Sequence, residues 1–204
     1  MKIPLSFYID VSGQPTQEIY VGMCSIRPDY LTSLIKQIRK DRPEFLRHNF
    51  KGSKLQASRI KSYIHYLNGQ KIRMVCVRFK TNSWNDFRKY LEDKKYWKEL
   101  IYASLYFTTI KQYAERGMTY PLVVCKESYL DIEKVKNYLK KIAKAHGIYL
   151  EISDGHASQN DMIKIADIIA SVGRKLSDDI KGLENYREIC PSIEQPKFYI
   201  EKIK

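Results

Sequence analysis

Residues 3–26, IPLSFYIDVSGQPTQEIYVGMCSI, decide how the rest of the chain is read. IPLSFYID (3–10) is β-branched and aromatic and runs into a turn, VSGQP. EIYVGMCSI (18–26) is a second run of the same kind. Two strand-forming runs around a turn rich in Gly and Pro predict an antiparallel hairpin. Asp10 closes the first strand just before that turn. A carboxylate there has two uses: it starts turns through its own hydrogen bonds, or it lines the crevice that opens at strand ends of an α/β sheet.

Outward from the hairpin, Pro28 opens a helix, PDYLTSLIKQIRK, with Leu31, Leu34, Ile35 and Ile38 at helical spacing. A basic connection, RPEFLRHNFKGSK (42–54), leads to a second amphipathic helix, LQASRIKSYIHYL (55–67), closed by Asn68-Gly69. KIRMVCVRF (71–79) alternates as a strand does. The segment 83–116 reads as helix in two pieces, the second apolar on most faces and ended by Gly117. YPLVVC (120–125) and IYLEIS (148–153) are strand-like and flank a basic helix, DIEKVKNYLKKIAKAH, stopped by Gly147. A last helix spans 158–175, and a polar tail follows. Strands and helices alternate after the hairpin, with no repeats and no linker. This predicts a single α/β domain with a mixed sheet of about five strands flanked by helices.

The chain of 204 residues suffices for one well-buried core. Lys and Arg number 36 against 23 Asp and Glu, a formal charge of +13. That excess favours a polyanionic partner, nucleic acid (RNA or DNA) ahead of an anionic membrane surface. A lysine-rich solubilising surface is the alternative. No apolar run approaches the roughly 20 residues of a membrane span, and no signal peptide is evident, so a cytoplasmic protein is expected. Cys24, Cys76, Cys125 and Cys190 lie far apart without any CxxC pair, and the first three fall in predicted strands, where Cys behaves as a small hydrophobe, which argues against a zinc motif or a disulfide framework.

The last helix carries a carboxylate within an apolar run, IKIADIIASV. Buried and unpaired, Asp167 would cost several kcal/mol or stay protonated, so it calls for a partner, a wet cleft or a metal ion. At 100° per residue, Asn160, Lys164, Asp167, Ser171 and Arg174 form one polar stripe facing a cleft. The competing explanation is an ordinary Lys164–Asp167 pair within the helix. Ser158 or Asn160 suits the helix cap, and His156 in the preceding loop is a candidate base or ligand, although lone loop histidines are usually only solvated. Sixteen tyrosines interspersed with lysines form no recognisable base-stacking motif.

FYIDVSG, NFKGSKL and IKIADIIASVGR occur in order, from the hairpin to about residue 175. Together they resemble the pattern of a widespread prokaryotic family of unknown function, itself similar to RNase H-like nucleases. That pattern has a first strand ending Asp-Glu-Ser-Gly, a central Glu-x-Lys-Gly segment, an Asp on a later strand, and a final helix reading Leu-Gln-x-Ala-Asp-x-x-Ala. The resemblance implies an RNase H-like domain over 1–185, a C-terminal tail over 186–204, and a nuclease dependent on Mg²⁺ or Mn²⁺. Asp10 and Asp167 would hold the metal, with Glu127 as a third catalytic carboxylate. Lys51, Lys54, Lys164 and Arg174 would bind nucleic acid. Several positions depart from the pattern. Val11 and Asn49 stand where the family has Glu, Cys125 and Lys126 where it has Asp, and Lys164 replaces Gln. Lys126 and Lys164 could also neutralise the two Asp residues without any ion. The alternative implied is an inactive nucleic-acid-binding protein, or a member of a ribonucleoprotein or other protein assembly.

Overall fold

The computed structural model describes residues 3–13, 18–47, 51–80, 90–91, 95–176, 180 and 182–203. Alternation of side chains along each strand divides the molecule into two apolar layers about one sheet. In β1 (Ser6–Ser12), Phe7, Ile9 and Val11 face one layer, whereas Tyr8 faces the other. β2 (Ile19–Ile26) sends Ile19, Val21 and Met23 to the first layer, with Cys24 and Ile26 in the second. The hairpin is antiparallel, with Asp10 opposite Gly22. β3 (Arg73–Phe79) continues the meander against β2. β4 (Thr119–Cys125) lies parallel to β1 on its other side, and β5 (Tyr149–Gly155) parallel to β4.

A sixth strand completes the sheet. The order is β5-β4-β1-β2-β3-β6, where β6 (Tyr186–Ile189) runs parallel to β3. The segment read as a polar tail is therefore built into the fold. Tyr186 is buried in the second layer, and the helix Glu194–Glu201 that follows puts Tyr199 and Ile200 into the first.

The first layer is closed by α3 (Trp97–Ile110), buried continuously from Glu99 onward, and by α4 (Ile132–Ala145), capped by Asp131. Glu194–Glu201 is α6. The second layer is closed by α1 (Pro28–Asp41), α2 (Ala57–Asn68) and α5 (Asp161–Lys175). Helix α3 stops at Ile110, earlier than expected, and turns lead to Gly117. Residues 83–89 and 92–94 of the expected first helical piece, Asn49, and part of the hairpin turn lie outside the described residues. No described helix is long and apolar enough to cross a membrane.

Helix α5 positions the candidate site. It crosses β1, β2 and β3 at very short range because Gly22 offers no side chain. A Cβ on Gly22 would lie 2.1 Å from the Ala166 carbonyl oxygen and 2.3 Å from the Ala170 nitrogen. Asp10 is the cross-strand partner of that glycine, so the contact that seats α5 also brings Asp167 over the end of β1.

Candidate functional site

Strands β1, β4 and β5 run in the same direction, so their carboxyl ends open on one edge of the sheet. Crevices outside such ends are where α/β sheets bind ligands. Here the crevice is an open cleft of about 710 Å³. Asp10 enters from β1, Cys125, Lys126 and Glu127 from the end of β4, and His156 from the loop after β5. Asp167 and Arg174 come from α5, and Lys51 from the basic connection. The fold thus brings together two acidic groups far apart in sequence, with Glu127 beside them.

Asp10 is 4% exposed. Its Oδ1 accepts the Val11 N–H at 2.8 Å. Burial drives its pKa well above the usual carboxylate range, and the charges of Asp167 and Glu127 push it further. Burial also raises Glu127, helped by Asp167, while Lys51 and His156 pull the other way. For Asp167 burial again dominates, opposed by a hydrogen bond from the Gly52 N–H (2.7 Å to Oδ2) and by Lys51. The Tyr106 hydroxyl is buried without a hydrogen-bond partner among the described residues, and the charges of Asp10 and Glu127 reach it. Asp10 and Glu127 offer ligand atoms within 4.8 Å of one another and of the Cys125 thiol, and Asp167 lines the same cleft outside that group. A divalent cation relieves the repulsion between such carboxylates. The donor set fits such an ion.

The connection carrying Lys51 is fastened to α5. Gly52 lies so close that a Cβ there would be 2.8 Å from the Asp167 carbonyl oxygen. Lys175 Nζ donates to the carbonyls of Ser53 (2.7 Å) and Leu55 (2.6 Å), closing the 3₁₀ turn Gly52–Lys54 onto the helix. Lys51 is exposed at the cleft wall, whereas Lys54 on the same turn is not among its lining residues.

Lys164 does not face the cleft. It is 4% exposed, and its Nζ donates to Asp161 (3.1 Å) and to the Leu46 carbonyl (3.0 Å). Asp161 one turn back and a free carbonyl at the end of the 3₁₀ turn Pro43–Leu46 outcompete Asp167 for the ammonium. The predicted stripe therefore divides. Asn160 caps α5 through the Met162 and Ile163 N–H groups, Lys164 fastens the helix to the connection, and Asp167 and Arg174 reach the cleft. Nothing in the sequence pattern singled out Ser12, Ser53 or Tyr129 as lining residues. Tyr129 lies two residues beyond Glu127, and that proximity was the available signal.

No protein-family model and no curated protein matches the chain. Solved structures do. The chain is similar to one in the structure of the PCNA:RNase HII complex from Archaeoglobus fulgidus, at 13% identity and a TM-score of 0.50, covering 98% of this chain and 88% of that one. It is also similar to the ribonuclease H2 from Pyrococcus horikoshii OT3, at 14% identity and a TM-score of 0.53, covering 97% and 86%. The fold is RNase H-like.

Proposed function

We propose that the protein is a divalent-metal-dependent nuclease, hydrolysing phosphodiesters in nucleic acid. The observation that carries this reading is the convergence of Asp10, Glu127 and Asp167 in a cleft walled by Lys51, Lys126 and Arg174. Asp10 and Asp167 would hold Mg²⁺ or Mn²⁺, with Glu127 as the third carboxylate. A metal bound there supplies an activated water and neutralises charge growing on the phosphate. Lys51 and Lys126 bind backbone phosphate as point charges, and Arg174 as a fork. His156, exposed at the rim, would serve as a base or a further metal ligand. Two similar structures bear the name of ribonucleases, so RNA strands and RNA-containing duplexes are the first substrates to test. Membership of the prokaryotic family resembled by the three motifs belongs to the same proposal. So does a cytoplasmic location, which suits four free cysteines.

One observation favours the non-catalytic alternative. Val11, where the family pattern has Glu, is 7% exposed and packs into the first apolar layer, which takes one of that pattern's carboxylates out of the cleft. Labelled RNA and DNA oligonucleotides with Mg²⁺ or Mn²⁺ decide between the two. Cleavage abolished by Asp10→Asn and by Asp167→Asn supports the nuclease. Salt-sensitive binding without cleavage supports the alternative. Cleavage untouched by Asp10→Asn refutes the assignment of the site.

A further inference from the structure

We propose that Cys125 is a metal ligand and sets the cation preference of this cleft, away from Mg²⁺ and toward divalent ions that accept sulfur. Mn²⁺ would bind ahead of Mg²⁺, with Co²⁺, Zn²⁺ and Cd²⁺ ahead of both. The inference rests on reading the cleft as a metal site.

One ligand atom each from Asp10, Cys125 and Glu127 lies within 4.8 Å of the others. A single ion about 2.3 Å from sulfur and about 2.1 Å from a carboxylate oxygen spans roughly 4.4 Å, so modest side-chain rotation joins the three donors. The β-ladder fixes the position of the sulfur. Ile9 pairs with Val124, so the next residues, Asp10 near the end of β1 and Cys125 at the end of β4, stand side by side on adjacent parallel strands. The other strand cysteines behave differently. Cys24 and Cys76 are wholly buried in the second apolar layer, whereas Cys125 belongs to neither layer. Its sulfur instead lies beside the carboxylates of Asp10 and Glu127, the two with which it would share an ion.

Ligand chemistry then sets the preference. Mg²⁺ demands near-octahedral oxygen coordination and keeps its waters, whereas a thiolate selects softer ions. On binding, the S–H bond breaks, its proton passes to solvent, and a sulfur–metal bond forms.

The test is a Co²⁺ titration of the full chain in a Cys190→Ser background, which removes the exposed thiol. A sulfur-to-cobalt charge-transfer band in the near ultraviolet is expected, and its loss in Cys125→Ser. Calorimetric titrations should show Mn²⁺ favoured over Mg²⁺, with Cys125→Asp shifting that ratio toward Mg²⁺ by at least about tenfold, the scale on which ligand surroundings alter metal affinity. Three outcomes overturn the inference while leaving a metal site standing: Co²⁺ bound by wild type without the band, a band that survives Cys125→Ser, or an unchanged ratio in Cys125→Asp. Binding of no divalent ion at all would overturn the metal reading itself, and this inference with it.

Discussion

Replacing Gly22 by Ala tests how the site is assembled. The added methyl would sit 2.1 Å from the Ala166 carbonyl oxygen, 2.3 Å from the Ala170 nitrogen and 2.9 Å from the Ala170 Cα. Comfortable contact lies near 3.5 Å, so helix and sheet must separate by more than about 1 Å. All three obstacles are backbone, and no side-chain rotation relieves them. Overpacking of a rigid core costs about 1–3 kcal/mol and sometimes more, and this case belongs at the upper end. For a chain of this size, about 3 kcal/mol lowers Tm by roughly 6–12 °C. Because Asp167 lies between the two displaced residues, the carboxylates should part and Mn²⁺ affinity should fall as well. Differential scanning calorimetry with and without Mn²⁺ measures both effects. Gly69→Ala is the control. Gly69 has a right-handed conformation (φ −76°), and the nearest obstacle to its Cβ is 3.5 Å away, so the gain should be about 0.4–1 kcal/mol. Gly22→Ala melting within 2 °C of wild type, with unchanged Mn²⁺ affinity, would refute the close-approach argument.

Two further predictions separate structural from functional charges. Lys164→Met should lower stability by about 1–3 kcal/mol, less than a fully buried pair because Asp161 keeps Arg39 at 3.0 Å, and should leave nucleic-acid affinity unchanged. Lys51→Ala or Arg174→Ala should each flatten the salt dependence of binding by about one unit of slope while Tm stays within about 1 °C, measured by fluorescence anisotropy across a salt series. His146 supplies a pH signature. Burial first, then Lys111, Lys202 and Arg116, lower its pKa, and its Nε2 is buried without a hydrogen-bond partner among the described residues. The unfolded chain therefore takes up this proton first, near pH 6.5. The stability linked to His146 is complete above that value and is lost as pH falls through its lower folded pKa. Tm of wild type should accordingly drop more steeply on acidification than that of His146→Gln; parallel curves would refute the assignment.

The sequence made the hairpin, the alternating elements and both aspartates readable because each was announced locally. Asp10 stood at a strand end, and Asp167 interrupted an apolar helix. β6 was not announced. Tyr-Arg-Glu-Ile is short and half charged, and its strand character comes from the exposed edge of β3. Lys164 misled for a related reason. A helical wheel puts it beside Asp167, but Asp161 lies three residues the other way, and the Leu46 carbonyl is 118 positions distant in sequence. Cys125 sits in a strand like Cys24 and Cys76, where a cysteine ordinarily serves as a small hydrophobe, and those two do. Only the alignment of β1 with β4 sets it beside Asp10.

Binding of a divalent cation at the Asp10 cleft is tested most directly by thermal unfolding of wild type and Asp10→Asn with and without Mn²⁺. At a hundredfold excess over Kd the ion should stabilise wild type by about 2.7 kcal/mol, or roughly 5–11 °C. Asp10→Asn, freed of carboxylate repulsion, should melt no lower than wild type without metal and gain little from its addition. Equal Mn²⁺ responses in the two proteins would contradict the account.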